Sequence, residues 1–316
     1  MAVYRRALLG SLLAAPALAQ GLTRPIRFIA PYAPGGGIDT TARLLAGPMG
    51  AKLGQALIVE NRAGAGGSLG AAEVARSAPD GHTVMVDALA HTVNPHLIRN
   101  LSFDYATAFT PISQVVVLPQ ILIVPNSLPA RTLAEFVALL KARPGTYSYG
   151  SSGNATAAHL AAALFLGRAQ AEMIHVPYRG GTAALPDLIS GTTSMIFATV
   201  SSGLQLVREG RVRALGVTTT TRIAPLPEVP TIAEQGFPGY ELNEWNGFYG
   251  PAGMSPALVT AFYEALQFAL ADATVQARLD ALGAIPLGTP PAAFAAYVRE
   301  QRESMGRLVR EARVEI

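Results

Sequence analysis

Short apolar runs alternate with helically spaced apolar residues along almost the whole chain, and few folds accept that alternation. "RFIAPY" (Arg27–Tyr32) is a strand-like run that ends at the loop "APGGGID". Ala42, Leu45, Ala46, Met49 and Leu53 then recur at helical spacing, and Gly54 stops the helix. "ALIVEN" predicts a second strand, "SLGAAEVARSA" a second helix ended by the turn at Pro79–Gly81, and "HTVMVDA" a third strand. Strand, helix, strand, helix, strand implies a parallel sheet with helices on its faces.

A second series follows. "VVVLPQILIVP" (Val115–Pro125) is long, extended and interrupted by Pro119, and reads as a crossover. "TYSYG" leads into "SSGNATAAHLAAALF", "EMIHVPY" into "RGGTAALPDLISG", and "SMIFATV" into "SSGLQLVREG", before "VRALGVTT" and a proline-rich connection at Pro225–Pro230. The C-terminal part reads as helical. Ser255 caps a helix with Pro256 at its first position, and Thr289 with Pro290 and Pro291 opens another through Phe294, Tyr297 and Val298. The 316 residues suffice for two lobes with a cleft between them. The expected division is 20–118 in lobe 1, 119–223 in lobe 2, and 224–316 returning to lobe 1.

The first residues are set apart. Arg5 and Arg6 precede an apolar run, Ala7–Ala15, and Ala17-Leu18-Ala19 has the small-x-small form of a cleavage site. Residues 1–19 therefore read as a signal peptide, too short to span a membrane, with the mature chain starting near Gln20. "YRRALLG" also has a twin-arginine character, so two export routes stay open. With no cysteine, the chain has no disulfide, thiolate metal site or cysteine nucleophile. Losing Arg5 and Arg6 takes the formal charge from +3 to +1, which gives no reason to expect nucleic acid or an anionic membrane as partner.

"ENRAGAGGSLGAAEVA" (Glu60–Ala75) poses the sharpest question, because glycines between a strand and a helix suggest a dinucleotide cradle. The spacing of Gly64, Gly66 and Gly70 is G-x-G-x-x-x-G, with Leu69 where the fingerprint needs glycine. The loop also follows the second strand rather than the first. Asp87 stands where a ribose-binding acid belongs and favours the cofactor. The simpler reading is that Gly64, Gly66 and Gly67 permit a tight turn and Gly70 lets a helix pack closely, so no cofactor is expected.

Three other loops point to an anion. "PYAPGGGID" lies at the carboxyl end of the first strand, where open α/β sheets bind ligands. Tyr32, Ala33, Gly35, Gly36 and Gly37 offer approachable backbone there, and Asp39 reads as an N-cap that also takes part in recognition. "YGSSGNAT" offers Ser151, Ser152, Gly153, Asn154 and Thr156 at a matching junction. It lacks the G-x-S-x-G spacing of a hydrolase elbow, and His159 reads as a helix-packing residue. "HVPYRGGT" adds Arg179, equally readable as an anion partner or a surface arginine. Ala88 and His91, at the end of the third strand, are expected at the cleft. The five histidines show no metal-ligand spacing, and Trp245 reads as core or hinge packing.

These segments carry a family resemblance. "PYAPGGGID", "LGQALIVENRAGAGGSLGAAEVARSAPDGHTVMV", "YSYGSSGNATAAHLAAALF", "IHVPYRGGTAALPDLISG", "VRALGVTTTTR", "LPEVPTIAEQGFPGYE" and "WNGFYGPAGMSPALV" occur in family order over nearly all of the mature chain. The chain resembles the Bug (Bordetella uptake gene) family, the extracytoplasmic solute receptors of tripartite tricarboxylate transporters. The resemblance implies an α/β, two-lobed periplasmic binding protein of the type II, Venus flytrap kind, each lobe a mostly parallel sheet flanked by helices. It implies a small carboxylate as ligand, membrane transporter subunits as partners, a monomeric state and no catalysis. One carboxylate would meet Ser151, Ser152, Gly153, Asn154 and Thr156, with Arg179. The other end would meet Ala33 to Gly37 with Asp39, partly through water. Ala155 stands where the family favours glycine, and Ile38 where it favours a smaller or polar residue. Ile38 facing the cleft would make one end of the pocket apolar. The rival readings are an exported nicotinamide-dependent oxidoreductase, an exported serine hydrolase, and a receptor that serves a sensor kinase.

Overall fold

The computed structural model describes residues 22–314. The expected signal peptide lies outside the described residues. The strands are β1 (Ile26–Ala30), β2 (Leu57–Asn61), β3 (Thr83–Ala88), β4 (Phe109–Leu118), β5 (Gln120–Pro125), β6 (Ser148–Ser151), β7 (Ile174–Pro177), β8 (Met195–Thr199), β9 (Val212–Val217), β10 (Glu244–Pro251) and β11 (Ile285–Pro286). The helices are α1 (Gly37–Leu53), α2 (Ser68–Ala75), α3 (Ala90–Leu97), α4 (Leu133–Ala142), α5 (Ala157–Ala169), α6 (Leu185–Ser190), α7 (Val200–Arg208), α8 (Pro256–Leu270), α9 (Ala273–Ala281) and α10 (Pro291–Glu311).

Two sheets form, as the two series of strands and helices predict. The first has the order β11-β4-β10-β3-β1-β2, and the second β7-β6-β8-β5-β9. Within each, three strands joined by helices run parallel: β3, β1 and β2 in the first sheet, β7, β6 and β8 in the second. β4 and β9 run the same way as these sets, whereas β10 and β11 in the first sheet and β5 in the second run against them, so both sheets are mixed. β5 and β10 are the strands that receive the two crossovers. Chain that changes sheet arrives at the carboxyl edge and can only run back from it.

Pro119 separates β4 of one sheet from β5 of the other, as the interrupted run predicts. Its carbonyl accepts from Val200 N at 3.2 Å. Beyond residue 224 the chain still packs on the second sheet. Ile223, Leu226 and Val229 pack with Ile121, Ile123 and Leu188 against the second sheet. Tyr240 Oη donates to Ala161 O at 2.8 Å, and the chain rejoins the first sheet only at Glu244. The prolines lay a cover over the second sheet before the chain leaves it.

The crossovers fix how the sheets face. Leu118 pairs with Glu244, and Asn246 pairs with Ala88, so the first crossing leaves from the carboxyl end of β3. Gln120 pairs with Thr199, so it arrives at the carboxyl end of β8. The carboxyl edges of the two parallel sets are thereby joined edge to edge. Apolar clusters hold each sheet to its helices: Phe28, Leu45, Met49, Phe248 and Phe262 on one face of the first sheet, and Phe136, Phe165, Phe197 and Tyr240 on the second. Trp245 is buried edge-on against Phe294 and Tyr297 of α10, the packing role its sequence suggested.

Candidate functional site

The β1–α1 loop is built from three glycines and a buried acid. Gly35 has φ +79°, a left-handed conformation, while Gly36 is extended and occupies the N-cap position without a side-chain cap. The expected N-cap, Asp39, sits instead in the first turn of α1 and is 3% exposed. Its carboxylate reaches back to accept from Gly35 N at 2.8 Å. Asn61 Nδ2 donates to it at 2.8 Å, and Arg43 pairs with both oxygens through Nε at 3.1 Å and Nη2 at 2.9 Å. These donors fill the carboxylate's acceptor sites. The Arg43 bonds, with those of Gly35 and Asn61, outweigh burial and hold the carboxyl at about 2. Asp39 therefore braces the loop. The loop leaves Ala33, Gly35 and Gly37 exposed.

The neighbouring glycine loop has no cradle to offer. Gly64, Gly66 and Gly67 all take positive φ. A Cβ on Gly67 would stand 2.9 Å from the Tyr32 ring, and one on Gly70 would stand 2.7 Å from Pro31 Cβ and 3.0 Å from Arg62 O. The glycines let this loop and α2 lie against the end of β1, as the simpler sequence reading holds. Asp87 is equally committed. It is 1% exposed and accepts from Tyr32 Oη at 3.0 Å and Ala88 N at 2.8 Å.

His91 does not reach the cleft surface. It is 1% exposed, pairs through Nδ1 with Asp87 at 3.0 Å, and stacks on Tyr249 at 4.1 Å between centroids. Tyr105 and Phe109 meet it edge-on, and burial holds its pKa down. The apolar surface of those three rings outweighs the pull of the strand end. Ile38 is likewise 6% exposed, in the core with Ala42 and Leu45, and so does not make the pocket apolar. Ala88 is buried at the strand end, beside the loop.

In the second lobe the β6–α5 loop runs from Ser151 to Thr156. Ser151 is fully buried. Its Oγ lies 2.7 Å from His175 Nε2 and 3.0 Å from Gly153 O, and accepts from Gly153 N at 3.2 Å. This serine–histidine contact was not legible in the sequence. A nucleophile must be reachable by substrate, and this hydroxyl is sealed inside the loop it ties together. His159 stacks on His175 at 3.9 Å and accepts from Ala155 N at 3.1 Å through Nδ1. Burial, then the neighbouring His175, push His159 down to about 4, so it stays neutral and able to accept. Ala155 takes φ +58°, a left-handed conformation that glycine adopts at less cost. Thr156 is the N-cap of α5, and its Oγ1 donates to Gly153 O at 2.8 Å.

Tyr178 N donates to Ser151 O at 3.0 Å and Gly180 N to Ser152 O at 3.3 Å, so the loop carrying Arg179 is fastened to this one. Ser152 and Gly153 are half-buried, while Asn154 and Arg179 are exposed. The expected residues thus gather into two groups, one on each carboxyl edge, and no hydrogen bond joins the groups among the described residues. A cavity of about 1070 Å³ lies elsewhere, between α5 and α10, and is lined by His159, Ala163, Arg168, Tyr297, Ser304 and Leu308 among others. None of the expected binding residues lines it.

The comparisons with known proteins agree with this architecture. The family model described as "Tripartite tricarboxylate transporter family receptor" matches residues 41–314. The chain belongs to that receptor family. A protein encoded in the tcbD–tcbE intergenic region of Pseudomonas sp. strain P51 is 36% identical over 293 residues, covering 92% of this chain and 87% of its relative. BugT of Bordetella pertussis is 31% identical over 290 residues, covering 91% and 89%, which bears out the Bug resemblance. A Rhodopseudomonas palustris protein solved with adipate is 30% identical with a TM-score of 0.80, covering 93% of this chain and 99% of that one. MatC of the same organism, solved with malate, is 30% identical with a TM-score of 0.77, covering 91% and 99%. Family and fold together make the chain a two-lobed α/β solute-binding protein. Among the described residues no helix is long and apolar enough to cross a membrane.

Proposed function

We propose that this protein is a periplasmic receptor for a small carboxylate, which it delivers, as a monomer and without chemical change, to a tripartite tricarboxylate-type membrane transporter. The lobes divide at Pro119 and Asn243. Ligand enters between the two carboxyl edges, and closure about the crossovers buries it, as a population shift toward the shut form.

The observation that carries the reading is the pairing of two donor-rich turns on facing edges. Gly37 opens α1, the N–H groups of Gly35 and Gly36 being spent on Asp39 and Ala33 O, and Ser152 and Asn154 lead into α5, where Gly153 N–H is spent on Ser151 Oγ. Backbone N–H groups at helix starts favour anions, and two such groups one lobe apart suit a molecule with an acid at each end. Arg179 adds a charge-assisted partner, while Asp39, Ser151 and Thr156 act by holding the loops in shape. The carboxylates seen in the two related structures are of this class.

Calorimetry and thermal shift against a panel of mono-, di- and tricarboxylates test this. Expected is micromolar binding of at least one acid, weakened tenfold or more by Asn154→Ala combined with Arg179→Ala. Absence of binding across the panel, or conversion of a bound acid to product, refutes the reading.

A further inference from the structure

The carboxyl edge of the first sheet holds a second acid besides Asp87. Glu244 opens β10 and is half-buried. Its Oε1 accepts from Leu89 N at 3.0 Å and from Trp245 N at 3.1 Å. Among the described residues Oε2 receives no hydrogen bond and Glu244 joins no ion pair.

Its direction follows from the strand. Side chains alternate across a sheet. Trp245 packs beneath α10, whereas Asn246 accepts from Thr41 Oγ1 of α1 at 2.9 Å. Glu244 therefore lies on the α1 face, at the strand end where Ala88 and the start of α1 sit. This is the ligand edge of lobe 1.

The charges around that edge are unsuited to a bare carboxylate. Salt bridges commit Arg43 to Asp39, and Arg27 and Arg62 to Glu60 and Glu73. The titratable groups near enough to act on Glu244 through their charge are Asp87 from β3, Tyr32 from the β1–α1 loop and, from the opposite face of the sheet, Tyr297 of α10. Burial, helped by Asp87 and opposed by the two N–H groups, pushes Glu244 up to about 7. An ionised Glu244 repels an incoming acid, whereas a protonated one offers it a short O–H···O⁻ bond.

We propose that Glu244 is a ligand-contacting residue: protonated, it donates through Oε2 to one carboxylate oxygen of the bound solute, so that binding takes up one proton from solvent. This deepens the receptor reading and rests on it. The sign follows directly. Above about pH 7 the free protein must gain a proton to bind, so affinity falls by up to tenfold for each further pH unit.

The test is calorimetry of malate and adipate binding between pH 7 and 9, in buffers of different ionisation enthalpy. The wild type is expected to take up close to one proton per ligand at pH 8 to 9 and to lose about tenfold in affinity over that unit. E244Q keeps an acceptor for Leu89 and Trp245 and carries a donor at every pH. It is expected to show no uptake and no pH slope, and to bind at least tenfold tighter than wild type at pH 9. Equal uptake in both proteins, or none in wild type alone, overturns the inference while leaving the receptor reading intact. The wild-type measurement decides even if the variant fails to fold. Failure of wild type to bind any acid of the wider panel removes the receptor reading and this inference with it.

Discussion

Replacing Asp39 by asparagine is expected to cost stability first and affinity second. The carboxyl is held at about 2 against an ordinary 3.8. At roughly 1.4 kcal/mol per pKa unit, the ionised form contributes about 2 kcal/mol to folding at pH 7. An asparagine amide also turns a donor toward Gly35 N, Arg43 or Asn61, each of which donates, and leaves one of them unsatisfied at about 1 kcal/mol. The expected loss is about 3 kcal/mol at pH 7. The folded pKa is depressed, so this stability is fully present above the unfolded value and is lost as pH falls through the folded one. The gap between wild type and Asp39→Asn should therefore shrink by about 1 kcal/mol by pH 3. Urea melts at pH 7 and pH 3 measure both quantities. A gap under 1 kcal/mol at pH 7, or one that does not narrow at pH 3, refutes the bracing role. Carboxylate affinity at pH 7 should weaken as well, because Gly35 to Gly37 lose their anchor.

Other substitutions probe the loops separately. Gly70→Val forces a Cβ to within 2.7 Å of Pro31 and should cost about 3 kcal/mol in a thermal or urea melt; a loss under 1 kcal/mol would count against close packing as the reason for this glycine. Ala155→Gly relieves a left-handed alanine and should stabilise by about 1 kcal/mol, read as a rise in Tm. Thr156→Ala removes the cap of α5 and its bond to Gly153 O, so both stability, by about 1 kcal/mol, and carboxylate affinity should fall.

The sequence disclosed what is local and periodic. Alternating runs reveal the parallel strands, Pro119 marks the first crossover, and the glycines of the broken fingerprint serve close packing, as their spacing suggests. What stayed hidden depends on residues distant in sequence. The brace on Asp39 draws Asn61 from β2, 22 residues away, and nothing near either residue marks the pair. His91 ends a strand as a cleft residue would, but Tyr249 lies 158 positions on and takes it into the core. Ser151 and His175 meet because β6 and β7 are adjacent in the sheet, an order that periodicity does not encode. The segment after Pro225 looked like a link because prolines break periodicity, yet its apolar residues cover the second sheet.

The two turns proposed to hold the ligand share one design despite different residues. Neither can be stapled, since the chain has no cysteine, and both need backbone that glycine and small residues leave loose. Each is therefore tied from beneath by a buried polar group: Asp39 with Arg43 and Asn61 in one lobe, Ser151 with His175 and His159 in the other. Those ties use up the side chains that a first reading assigns to the ligand. The N–H groups of Gly35 and Gly153 are spent on these ties as well, which leaves exposed backbone at Gly37 in one lobe and the side chains of Asn154 and Arg179 in the other. Fixed N–H groups hold an anion without choosing its skeleton, since they read only the oxygens. On the proposed reading, discrimination between acids of different length must then come from the distance between the two turns when the lobes shut. On that reading the distance is set by the two chain crossings between the sheets, at Pro119 and before Glu244.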